Sequence, residues 1–211
     1  MRRMSAAVCA IAAVAVLAAG CGGSDDTAAQ ATSAEHGHAA ATAPEGGIVE
    51  PRRQAPALRL KDITGRVVDI RDMRGAPVLV TFVYANCPDV CPLIMQSLRA
   101  ARKDAGALGR RTRVIAVSVD PKGDTPAVVQ RFLVSRGVDG FVHYLIGPRA
   151  QLEPVWDAWG VATDVPRDNP ELVEHSALIY GVSASGQLVT AYPVGFEAAA
   201  VARDLKLLDA S

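Results

Sequence analysis

Cys87 and Cys91, in the run Cys87-Pro88-Asp89-Val90-Cys91-Pro92, are the residues of this chain whose type and spacing could do chemistry. Thiolates bind soft metal ions or attack disulfides. If a helix begins at Pro88, the two sulfurs lie at i and i+4, on one face and one turn apart. Pro88 and Pro92 then fall where a helix start leaves its N–H groups unpaired, so neither breaks it. The positive end of the helix dipole and the free amides favour thiolate at Cys87. A thioredoxin-like redox motif has two residues between its cysteines, and this one has three. Cα atoms one turn apart still fall within the range of about 4.4–6.8 Å that a disulfide accepts, and the spacing also leaves room for an atom between the sulfurs. Metal binding and thiol exchange both stay open, and either fits better than an inert structural bridge.

Other candidate groups are weaker alone. His175 ends a long polar loop and could swing over the cysteines, yet by itself it reads as an ordinary surface histidine. His143, in Val142-His143-Tyr144-Leu145-Ile146, reads as a histidine at the edge of the core. Met95 continues the Cys87, Cys91 spacing by four residues, and at helical spacing a methionine is packing. Asp89 and Asp120 are candidate carboxylates beside the cysteines. Each also has a plain role, Asp89 in a first helical turn and Asp120 in a turn before Pro121.

The elements that must position these groups are legible from patterning. Val78 to Tyr84 is a continuous apolar, β-branched run, as expected of a central strand buried on both faces. Val90 to Leu108 has helical spacing, with Gly109 as its stop. Val114 to Val119 is the next buried strand, and Asp124-Thr125-Pro126 supplies an N-cap and a first-position proline for a helix reaching Gly137. Val142 to Ile146 is a third strand, and Ala150 to Trp159 a helix ending at Gly160. Val161 to Glu174 is a long loop with Pro166 and Pro170, of the kind that tends to carry function. A hairpin of Leu58 to Leu60 with Val67 to Ile70, a second of Ala177 to Val182 with Leu188 to Pro193, and a helix from Phe196 to Leu208 complete an α/β fold. Its mixed sheet has helices on both faces.

The amino-terminal part is different. Arg2 and Arg3 precede a 14-residue uncharged run, Ala6 to Ala19, too short to span a membrane and matching the core of a secretory signal. Its end, Leu17-Ala18-Ala19-Gly20-Cys21, resembles a bacterial lipoprotein box, which makes residues 1–20 a signal peptide and Cys21 the lipidated first residue. Residues 21–54 are expected to be a flexible, acidic, Ala-rich linker, since Ser24 to Gly47 holds no large apolar residue and no Lys or Arg. His36 and His38 within it could catch a divalent metal or be solvated filler. The folded domain is residues 55–211. The expected location is extracytoplasmic, lipid-anchored to the outer face of the bacterial cell membrane. With Cys9 leaving in the signal and Cys21 lipidated, only Cys87 and Cys91 remain in the domain. The balance of 22 Lys+Arg against 22 Asp+Glu excludes nucleic-acid binding through bulk positive charge.

Three ordered motifs are similar to the Sco/SenC family of copper proteins. They are residues Thr81 to Pro92, then Val117-Ser118-Val119-Asp120-Pro121-Lys122-Gly123-Asp124-Thr125-Pro126, then His175-Ser176 before a Tyr-ending strand. The resemblance implies a thioredoxin-like fold and a single copper held by Cys87, Cys91 and His175. It also implies a role in assembling the dinuclear copper centre of cytochrome c oxidase, with oxidase subunit II as the receiving partner and the chain itself a monomer. Gly123 stands where the family usually has Arg, and Glu174 where Asp is frequent. Two thiolates and one imidazole are a soft three-ligand set suited to trigonal Cu(I), whereas structural Zn(II) asks for four closed ligands. The alternative is a thiol–disulfide reductase using Cys87 and Cys91 as its redox pair. Thioredoxin-type reductases place a Pro where His175-Ser176 stands here. A peroxiredoxin-type peroxidase usually has Thr where Tyr84 stands.

Overall fold

Each strand and helix expected from patterning forms, with two differences in its bounds. The computed structural model describes residues 47–164, 174–175 and 178–211. Its first half contains β1 (Gly47–Gln54), β2 (Arg59–Asp62), β3 (Val67–Asp69), a 3-10 turn (Ile70–Met73), β4 (Val78–Val83), α1 (Val90–Asp104) and α2 (Gly106–Arg111). Then come β5 (Arg113–Ser118), α3 (Pro126–Arg136), β6 (Val142–Ile146), α4 (Arg149–Trp159), β7 (Thr163–Asp164) and β8 (Glu174–His175). The chain closes with β9 (Leu178–Val182), β10 (Gln187–Pro193) and α5 (Ala198–Ala210).

The main sheet has the order β1-β10-β9-β4-β5-β6-β2-β3. β4 lies in its middle, parallel to β5 from Val78 opposite Arg113 to Val83 opposite Ser118, and antiparallel to β9. All six of its residues are buried. Adjacent residues of β9 show why both faces are covered, because successive side chains of a strand point to opposite sides. The Tyr180 ring packs on Trp159 of α4 and on Phe82. At the next residue, Gly181, a Cβ would come within 2.9 Å of Leu208 in α5. The fold is therefore the thioredoxin-like α/β architecture, a mixed sheet between helices.

Two bounds differ from expectation. The sheet begins at Gly47, upstream of Ala55, because β1 pairs antiparallel with β10 along its outer edge. β1 is almost wholly exposed, so it lacks the apolar alternation that marks a strand in sequence. The expected single helix from Val90 to Leu108 is two, broken at Gly106, whose φ of +58° suits glycine. Gly109 lies inside α2 instead of stopping a helix. A Cβ there would meet the Arg102 carbonyl oxygen at 1.9 Å, so its missing side chain lets α2 fold back on α1.

The chain divides into residues 1–40 and residues 41–211. Cys21, His36 and His38 belong to the first unit and lie outside the described residues.

Candidate metal centre

β4 carries the chain into the core as far as Tyr84, and the loop beyond it turns back at once. The Cys87 N–H donates to the Tyr84 carbonyl at 3.3 Å. α1 then starts at Val90, where the helical spacing begins and two residues after the Pro88 start considered for the cysteine pair. Asp89 occupies the N-cap position, but its side chain makes no capping hydrogen bond. A sulfur stands in that place. The Cys91 N–H donates to Cys87 Sγ at 3.4 Å, and the Asp89 N–H donates to the same atom. The helix start thus spends its free amides on Cys87, as the i, i+4 spacing implied.

The two thiols are far from equivalent. The Cys91 S–H donates to Cys87, and this contact, aided by the Asp89 and Cys91 amides and the Tyr84 hydroxyl, outweighs burial and brings the Cys87 thiol down to about 5. Cys91 moves the other way, far above the ordinary thiol range, because it is the donor to Cys87 and is itself fully buried. Cys87 is 7% exposed and Cys91 0%. The directions of the two shifts favour thiolate at Cys87 and thiol at Cys91, and only Cys87 reaches the surface.

Beneath the pair lies a carboxylate that the sequence reading treated only as part of a helix start. Asp124 is 5% exposed. One of its oxygens accepts the Ala85 N–H at 2.8 Å, and the other accepts the Ser118 hydroxyl at 2.6 Å and the Tyr144 hydroxyl at 2.8 Å. Burial pushes its carboxyl up, against the pull of these three donors. Asp124 therefore ties the start of α3 to the end of β5, the middle of β6 and the loop that presents Cys87. The only sequence signal was a polar residue beside a Thr-Pro helix start, which does not distinguish a buried anchor from a cap.

Of the two expected carboxylates, Asp120 makes a turn, with one oxygen accepting the amides of Lys122 and Gly123 at 3.2 and 2.9 Å. Asp89 is exposed. A Cβ on Gly123 would come within 2.1 Å of the other Asp120 oxygen, so the Asp120 carboxylate fills the space that a side chain at 123 would need. Met95 is fully buried in the core, and His143 sits half-buried at the amino end of β6. His175 is in β8, its backbone paired with Thr163 of β7. The His175 side chain and residues 165–173 of the expected loop lie outside the described residues. Among the described residues no three His, Cys, Asp or Glu side chains form a metal cluster, and no helix is long and apolar enough to cross a membrane.

Comparison with known proteins shows the family of the chain. The family model described as SCO1/SenC matches residues 50–208. The chain is 34% identical over 121 residues to protein SenC of Rhodobacter capsulatus, a match covering 56% of this chain and 53% of that protein. Among solved structures it is similar to Bradyrhizobium japonicum ScoI with copper bound, at 29% identity and a TM-score of 0.65, covering 74% of this chain and 99% of that one. It is also similar to apo Sco1 from Thermus thermophilus, at 28% identity and a TM-score of 0.64, covering 78% and 95% of the two chains. The chain thus spans about half the length of SenC, one of the curated relatives it matches.

Proposed function

The chain belongs to the SCO1/SenC family, and on that premise we propose that it is a copper carrier that helps assemble the dinuclear copper centre of cytochrome c oxidase. Its ligands are Cys87, Cys91 and His175, and its anchor is a lipid on Cys21, on the outer face of the cell membrane. The observation that carries the reading is the pair of sulfurs gathered at the start of α1, with the Cys91 N–H donating to Cys87 Sγ at 3.4 Å and only Cys87 reaching the surface. A soft monovalent cation can replace the thiol protons and be held by both thiolates, with an imidazole completing a trigonal set. Copper is cargo here. Each of its ligands can be exchanged for a thiol or imidazole of oxidase subunit II, without any change in the backbone that presents the cysteines. The copper bound to the Bradyrhizobium relative supports the choice of metal.

The low thiol of Cys87 favours a second reading, a reductase. The Cys87 thiolate would attack a partner disulfide and expel one partner thiolate. Cys91 would then displace the other, its proton going to a leaving sulfur, so that Cys87–Cys91 ends oxidised and the partner holds one thiol and one thiolate, which takes its proton from water.

Copper titration of the reduced full chain separates the two. The carrier binds one copper, and Cys87→Ala, Cys91→Ala and His175→Ala each weaken it by well over about tenfold, the loss expected when a three-ligand site keeps two. Unchanged stoichiometry and absorption in His175→Ala would remove that residue from the site and leave the reductase. For the anchor, Cys21→Ser should release the protein from the membrane fraction. Unchanged retention would mean that lipid on Cys21 is not what holds it.

A further inference from the structure

The sulfur site occupies the carboxyl end of β4. At the opposite end of the sheet, by the first residues of β5 and β6, a cavity of about 360 Å³ has Arg102, Arg110 and Arg113 among its lining residues, with His143 beside them. Arg113 and Ser118 are the two ends of β5, about 16 Å apart along the strand, and of the residues joined to Asp124 only Tyr144 also lines the cavity, while neither cysteine does. The cavity is no part of the copper site.

Its lining is net positive, three arginines against two carboxylates. Arg102 is half-buried, its Nε and one Nη donating to the carbonyls of Gly109 and Arg110 and its guanidinium lying 4.1 Å over the Phe141 ring. Carbonyls and a ring orient the cation without neutralising it. Burial and the neighbouring Arg113 both disfavour its charge. The side chains of Arg110 and Arg113 are exposed and make no ion pair among the described residues. Two carboxylates also line the cavity. Asp62 accepts the Thr64 and Arg66 amides and the Thr64 hydroxyl, and forms no ion pair with the three arginines. Asp139, exposed at the rim, forms no ion pair with any of the three arginines.

A half-buried cation next to a like charge is costly unless an anion neutralises it. Guanidinium groups present paired N–H donors in a fork that matches tetrahedral and planar oxyanions. We propose that the cavity at the amino ends of β5 and β6 binds a phosphate-class oxyanion, held by Arg102, Arg110 and Arg113. The phosphate can be free or can be the headgroup of an anionic lipid.

Amide NMR of the full chain in dodecyl maltoside, titrated with inorganic phosphate at ionic strength held constant with chloride, tests this. Expected are saturable shifts at Thr112, Arg113 and His143, with Arg113→Gln and Arg110→Gln each weakening binding by about fivefold or more, as the loss of a charge-assisted contact requires. Both variants replace exposed side chains, so folding and copper stoichiometry stay as in the wild type. Dihexanoyl-phosphatidylglycerol is added against a phosphatidylcholine control. If it displaces phosphate from the same amides, the ligand is a lipid headgroup; if it does not, the ligand is a free anion. Shifts that grow linearly without saturation, or that persist unchanged in both variants, would overturn the proposal.

Discussion

The two helices that start beyond the carboxyl ends of β4 and β5 solve one problem in different ways. α3 is capped by a side chain: Thr125 Oγ1 accepts the Val128 N–H at 3.4 Å, and Pro126 follows at the first helical position. α1 has Asp89 at the same position, and Asp89 does not cap it. The amides of Asp89 and Cys91 go to Cys87 Sγ instead. A hydroxyl cap contributes stability and nothing more. A sulfur in the same position gains thiolate character from the amides, and the helix start becomes a reactive site. The structural junction also serves the chemical one, since Asp124, at the start of α3, holds the Ala85 amide in the Cys87 loop.

The largest effect that can break this contrast is on the thiol itself. Cys91→Ala removes the S–H donor that is the main cause of the low Cys87 value, so the midpoint for alkylation by iodoacetamide should climb from about 5 towards the ordinary 9.0. At pH 6 the rate should fall by more than about tenfold. The linkage has a definite sign. Because the folded value is lowered, the stability tied to the Cys87 thiolate is fully present above the ordinary thiol value and is lost as pH falls through about 5. An alkylation midpoint unmoved in Cys91→Ala would mean that the amides alone set the thiolate.

A smaller change tests the bridge between the junctions. Asp124→Asn replaces an acceptor with an amide group among three donors, and should cost about 1–3 kcal/mol in urea unfolding, the usual cost of a buried polar group left with the wrong partner. It should also change the alkylation rate of Cys87, because the Ala85 amide in the Cys87 loop loses its charged acceptor. A stability loss with no change in thiol reactivity would confine Asp124 to the fold.

The smallest effects sharpen the comparison directly. Thr125→Ala should cost about 1 kcal/mol, the worth of a hydroxyl cap. Asp89→Ala should stay within about 0.5 kcal/mol, because an exposed residue without a capping bond contributes little. Equal costs at the two positions in the same urea experiment would show that α1 is capped through Asp89 after all.

Local features of the sequence were enough for much of this. A continuous apolar run reports a strand buried on both faces, so β4 and β5 were legible as the centre of the sheet. Cys87 and Cys91 are four residues apart, and helix geometry puts such residues on one face whatever surrounds them. Thr125-Pro126 and Gly137 mark the ends of α3 through backbone conformations that few other residues favour.

Only the tertiary structure decided the rest, because it depends on groups brought together from distant parts of the chain. β1 is a strand because β10 offers it an edge, and its own exposed residues do not announce it. The break at Gly106 and the helical role of Gly109 depend on α2 meeting Arg102. Asp124 reads as one more polar residue at a helix start, and becomes a buried anchor because Ala85, Ser118 and Tyr144 arrive from three other elements. Two thiols of one type differ so widely because a single shared proton and a set of amides act on one sulfur, while burial and the donated hydrogen bond act on the other. Spacing brings two such groups together; the surrounding packing and hydrogen bonds settle which of them carries the charge.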